Sequence, residues 1–150
     1  MTKAIYFDMD GTIAELYEVE NWLSQLRAED PTPYAIAKPK VDLNELADIL
    51  SELKNSGWVV GIITWLSMDS SERYKQATRK AKAEWLKQIP FQFDEVHMVR
   101  YGAPKHRIAK LRKGILVDDN RKVREQWEKY GGTAIDAEPA SWIHELRTLN

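Results

Sequence analysis

Apolar runs of strand type alternate with helix-type periodicity along almost the whole chain, and this alternation restricts the fold more than any other feature. The strand-type runs lie near residues 3–8, 58–63, 95–99, 114–118 and 132–136. Between them Leu43, Leu46, Ala47, Leu50 and Leu53 recur at helical spacing and stop at Asn55-Ser56-Gly57. Asp69 with Glu72 forms a capping-box pattern ahead of Tyr74, Ala77, Ala81 and Trp85. Val123, Trp127 and Tyr130 mark a further helix closed by Gly131-Gly132, and a last one starts near Pro139 and buries Trp142, Ile143 and Leu146. The pattern predicts an α/β fold, a mostly parallel sheet covered by helices on both faces. At 150 residues the chain suits one domain, 1–150, with a proper core.

Residues 13–40 fall outside the alternation. Leu16, Val19, Leu23 and Leu26 predict one helix there, and Asp30-Pro31-Thr32-Pro33 and Lys38-Pro39 bound an irregular stretch. The segment reads as a small insert between the first strand and its next helix.

Chemistry concentrates where strands end. The first strand runs into Asp8-Met9-Asp10-Gly11-Thr12, which places two carboxylates at the carboxyl end of a buried strand, the edge where open α/β sheets bind ligands. Gly11 permits a sharp turn and a close backbone approach. The same letters open a calcium-binding EF-hand loop, but its twelfth position, which needs Glu, is Val19 here. Val59–Thr64 is an apolar strand ending in a hydroxyl, Lys105 opens a helical stretch, and Ile115–Val117 leads into Asp118-Asp119-Asn120.

Strand-Asp, strand-Thr, Lys and strand-Asp-Asp, in this order, resemble the four motifs of the haloacid dehalogenase (HAD) superfamily over nearly the whole chain. Within it, Asp-Met-Asp-Gly, the Lys82–Leu86 stretch with Trp85 and the Val-Asp-Asp ending resemble the 5'(3')-deoxyribonucleotidases, with a shorter cap at 13–40. The resemblance implies a Rossmann-like three-layer α/β/α sandwich whose five strands take the order 5-4-1-2-3. It also implies a phosphomonoesterase in which Asp8 attacks phosphorus to give an aspartyl-phosphate and Asp10 serves as general acid and base. Thr64, Lys105 and Met9 are assigned to the substrate phosphate. Asp8, the backbone carbonyl of Asp10 and Asp118 are assigned to Mg²⁺, with Asp119 holding a metal-bound water; hard oxygens suit that ion. A phosphate dianion beside three carboxylates carries about −5, against about +3 from Mg²⁺ and Lys105, which favours a protonated Asp10.

Each assignment has a plainer competitor. Asp118, Asp119 and Asn120 also fit the cap of the following helix, Thr64 a turn, and Lys110 or Lys113 the register of Lys105. His97, His106 and His144 share no metal-ligand spacing, though His106 beside Lys105 is a further phosphate candidate. Tyr17, Trp22, Tyr34 and Trp65 are candidates to stack on a base or to pack the insert.

A net charge of −1 speaks against general nucleic-acid or membrane attraction, and the absence of Cys excludes disulfides and thiolate metal sites. No stretch approaches ~18 apolar residues, so a soluble, cytoplasmic protein is expected. The expected partner is a small phosphorylated molecule, a 5'-nucleotide or similar ester. Two rivals are a phosphatase for nucleic-acid 3' ends and a catalytically silent HAD domain used for binding.

Overall fold

The computed structural model describes residues 3–149. Five strands, β1 (Lys3–Phe7), β2 (Trp58–Trp65), β3 (Glu95–Val99), β4 (Ile115–Asp118) and β5 (Thr133–Asp136), form one sheet in the order β3-β2-β1-β4-β5. This is the predicted order read from the other edge, and every pairing is parallel. Each strand lies within two residues of its predicted position.

The central strand shows why the sheet is covered twice. Successive side chains of a strand point to opposite faces, and all of Ala4–Phe7 is buried. Ile5 and Phe7 enter one core with Leu46, Leu50, Trp85 and Trp142. Ala4 and Tyr6 enter the other with Ile63, Leu116 and Trp127. A strand buried on both faces needs a continuous apolar run rather than an alternating one, and Ala-Ile-Tyr-Phe supplies it.

Helix α3 (Leu43–Asn55) is capped by Asp42, whose carboxylate accepts from the N–H groups of Asn44 and Glu45. Helix α4 (Glu72–Leu86) corrects the predicted capping box: Ser71 is its cap, accepting from Tyr74 N–H, whereas Asp69 stands before it with φ of 50°. Helices α5 (Lys105–Ile108), α6 (Arg121–Lys129) and α7 (Trp142–Glu145) complete the cover, with a 3₁₀ turn at Leu146–Thr148. Tyr130 lies past the end of α6 and is half exposed, not part of its buried face.

The insert also departs from expectation. Instead of one helix and an irregular stretch it holds a 3₁₀ turn (Leu16–Glu18) and two short helices, α1 (Trp22–Arg27) and α2 (Thr32–Ile36). Asn21, in left-handed backbone, separates the first two, and Pro33, seated in the first turn of α2, starts a helix rather than breaking one. The two ends of the insert are zipped together: Glu15 N–H donates to Lys38 O at 2.8 Å and Lys40 N–H to Ile13 O at 2.7 Å, with Ala14 bridging Pro39 antiparallel.

Candidate active site

Strand register brings the predicted residues together. Phe7 pairs with Val117 of β4 and with Ile62 of β2, so the residues just beyond, Asp8, Asp118 and Thr64, leave the same edge of the sheet. Beyond β1 the chain turns back on itself, with the carbonyl of Met9 accepting from the N–H groups of Thr12, Ile13 and Ala14. Gly11 makes that turn with φ of 80°, and a Cβ there would collide with the Asp119 carboxylate and the Tyr17 ring. The Met9 side chain is buried in the core, which leaves only its main chain to face a ligand.

Carboxylate oxygens of Asp8, Asp118 and Asp119 lie within 4.8 Å of one another. Lys105, 3% exposed, donates to Asp8 Oδ1 at 2.9 Å and to Asp118 Oδ2 at 2.8 Å. Of the three lysines weighed for this place, Lys105 is the one at the carboxylates; Lys110 and Lys113 are exposed on the outside, with Arg107 and Arg112. Thr12, a residue missed in the sequence, sets its hydroxyl 3.4 Å from both Asp8 Oδ2 and Asp119 Oδ1. Asp118 Oδ1 accepts from Asn120 N–H, while Asn120, not the aspartates, caps α6 through Val123 N–H.

The field in this cluster follows from burial and like charge. Burial lifts the carboxyls of Asp118 and Asp119, the charge of Asp8 lifts both further, and Lys105 pulls Asp118 back. Burial also raises Asp10; the Lys82 ammonium opposes the rise and the charge of Asp8 adds to it. For Lys105, burial works against the cation, but Asp8 and Asp118 outweigh it and hold the ammonium charged. A dense set of hard oxygens with raised proton affinity is a site a divalent cation fits, because the ion replaces protons and relieves the repulsion.

Above the cluster opens a cavity of about 480 Å³ lined by Asp8, Asp10, Lys105, Asp118 and Asp119 and by side chains of the insert. Tyr17 meets Trp22 edge-on at 4.9 Å, and Trp65 meets Tyr101 at 5.0 Å, giving two aromatic pairs in its walls. Tyr34 is almost fully buried, bonded through its hydroxyl to Ser67 Oγ at 2.7 Å. Thr64 is completely buried and outside the cavity lining; its hydroxyl accepts from Lys82. Lys82 was missed as a site residue, although a lone cation in register with Tyr74, Thr78 and Trp85 on the buried face of α4 was a usable signal. The histidines do not join the cluster: His97 bonds Glu95, His144 is exposed, and His106 is buried against the Tyr130 ring, 3.9 Å away and parallel.

No protein-family model and no curated protein sequence matches the chain. Solved structures do. D,D-heptose 1,7-bisphosphate phosphatase from B. bronchiseptica, in complex with magnesium and phosphate, is 16% identical over 97% of this chain and 98% of its own, with a TM-score of 0.55. The enzyme of the same description from Burkholderia thailandensis is 10% identical over 97% of this chain and 99% of its own, with a TM-score of 0.58. HAD family enzyme BT-2542 from Bacteroides thetaiotaomicron is 10% identical over 98% of this chain and 99% of its own, with a TM-score of 0.59. At these identities the likeness establishes a shared fold.

Proposed function

We propose that this protein is a Mg²⁺-dependent phosphomonoesterase of the HAD type, working through an aspartyl-phosphate on Asp8. The observation that carries the reading is the convergence of Asp8, Asp10, Asp118, Asp119 and Lys105 on the floor of one cavity. A silent binding domain has no use for that full set, and structures of the same fold include a phosphatase holding magnesium and phosphate.

An Asp8 carboxylate oxygen forms a bond to phosphorus while the bond from phosphorus to the ester oxygen breaks, and Asp10 delivers a proton to that departing oxygen. In the second half Asp10 takes a proton from water, the water oxygen bonds to phosphorus, and the Asp8 oxygen leaves. Lys105 sits between Asp8 and Asp118 as a compact cation facing the phosphate. Thr64, buried outside the cavity lining, accepts from Lys82 through its hydroxyl and braces that lysine rather than meeting the phosphate. Mg²⁺, held by Asp8, the Asp10 carbonyl and Asp118 with Asp119 against its water shell, would supply charge that screens the phosphate from the carboxylates.

For the leaving group we infer a flat organic body, a 5'-nucleotide or a similar small ester, because the walls above the cluster carry Tyr17, Trp22, Trp65 and Tyr101. The reading treats residues 13–40 as a small cap on a single domain.

A screen of phosphorylated metabolites with Mg²⁺ tests the substrate class, and Asp8→Asn tests the chemistry. The variant should fold like the wild type and turn over less than about a hundredth as fast. Phosphate release near the wild-type rate from Asp8→Asn would sink the covalent mechanism.

A further inference from the structure

Lys82 is a cation placed where the substrate does not reach. It is 1% exposed and lies outside the cavity lining. Its ammonium donates to Asp10 Oδ2 at 2.9 Å, to Thr64 Oγ1 at 2.7 Å and to Trp65 O at 2.8 Å. The Tyr34 ring covers it from the insert, with the centroid 5.1 Å away. An ammonium has three hydrogens, and all three are used, so none is left for a phosphate. Lys105 differs: it lines the cavity and faces the carboxylates that hold phosphate and metal in the reading above.

The acceptors of Lys82 come from two pieces of chain. Asp10 belongs to the turn after β1, and Thr64 and Trp65 belong to the end of β2. Tying them to one point on α4 fixes the Asp10 side chain relative to the sheet. A carboxylate with one oxygen clamped has one oxygen left for proton transfer.

Building on the phosphatase reading, we propose that Lys82 is a positioning residue for Asp10: it holds Oδ2 so that Oδ1 alone exchanges the proton with the leaving oxygen and with water. A group that transfers a proton must be held within hydrogen-bond reach of the reacting atom, and small misplacements cost rate steeply. Lys82 acts only through Asp10 and touches no reacting atom itself.

The test compares two esters with similar rings and different leaving groups, p-nitrophenyl phosphate and benzyl phosphate, with Mg²⁺ present. Nitrophenolate departs without a proton; benzyl alkoxide needs one. In Lys82→Met, kcat/KM for benzyl phosphate should fall about a hundredfold, the lower range of general acid catalysis, while kcat/KM for the nitrophenyl ester stays within about threefold. Lys82→Gln, which keeps two N–H donors on a neutral amide, should recover part of the loss on benzyl phosphate. If Lys82→Met does not melt cooperatively, Lys82→Gln carries the same comparison, a selective loss on benzyl phosphate supporting the role. Equal losses on both esters, or no loss on either, overturn it. A wild type inactive on both esters refutes the phosphatase reading itself and Lys82's role with it, whereas an active wild type with parallel losses in the variants refutes the role of Lys82 alone.

Discussion

Gly11 shows how much of this site depends on an atom that is not there. Its backbone sits at φ of 80°, where side chains are rarely tolerated, and the space a methyl group would need is filled by the Asp119 carboxylate and the Tyr17 ring. Gly11→Ala therefore strains the turn and pushes Asp119 out of the carboxylate cluster. The expected outcome is a Mg²⁺ requirement at least tenfold higher, an effect of about 1.4 kcal/mol or more on the scale that relates affinity to free energy, read from activity against Mg²⁺ concentration. An unchanged curve would show that Asp119 has no part in holding the ion. At this scale the aspartates were legible, because charged side chains at the ends of apolar strands have little structural reason to be there; Lys105, which opens a short helix, was picked out by its place in the order of the motifs, with Lys110 and Lys113 as alternatives. Thr12 and Lys82 were harder to see: a Thr in a turn and a Lys in a charged helix look ordinary until the fold buries them.

The elements that carry the site divide by what anchors them. The inner strands were readable because each is an apolar run of natural strand length, while the edge strands β3 and β5 carry mixed, half-buried residues and were read from their β-branched content and the regular alternation with helices; the sheet then had few orders to choose from. Positions inside the insert were not readable, since a 3₁₀ turn and helices of six and five residues are too short for a periodic signal. These short helices depend on contacts with α4 instead. Glu29 accepts from Ser71 N–H at 2.8 Å and Oγ at 2.6 Å, and Tyr74 donates its hydroxyl to Asp30 O at 2.8 Å. Leu16, Tyr34 and Tyr74 pack together beneath. Ser71 is thus both the cap of α4 and the latch of the insert. Ser71→Ala should destabilise the protein by about 1 kcal/mol through the lost cap, measured by urea unfolding. It should also raise KM for a nucleotide more than Asp42→Ala does, because Asp42 caps α3 away from the insert; equal KM changes would argue that the latch does not hold the cavity wall.

Across the whole molecule, stability should show a component that fades toward acid pH, and its source is His106. Burial, aided by Arg107 and Arg112, holds its imidazole below the usual 6.5, and its Nδ1 has no hydrogen-bond partner among the described residues. The unfolded chain therefore binds the proton first. This contribution is complete above about pH 6.5, the unfolded value, and is lost as the pH falls from there toward the folded value. His106→Phe, which can still stack on Tyr130, should lose less stability than the wild type between pH 7 and pH 5, as urea unfolding at the two pH values will show. A wild type and variant that decline in parallel would place the acid sensitivity elsewhere. The described residues include no helix long and apolar enough to cross a membrane. The backbone zip at residues 13–15 and 38–40 has a consequence of another kind. Because the chain leaves the sheet and returns at one paired point, the entropy of closing that loop grows only slowly with its length, and the residues between behave as a replaceable cassette. Foreign segments of different length could be exchanged there to change what the cavity accepts, while Asp8 and Asp118 stay where the strands put them and Lys105 where α5 holds it.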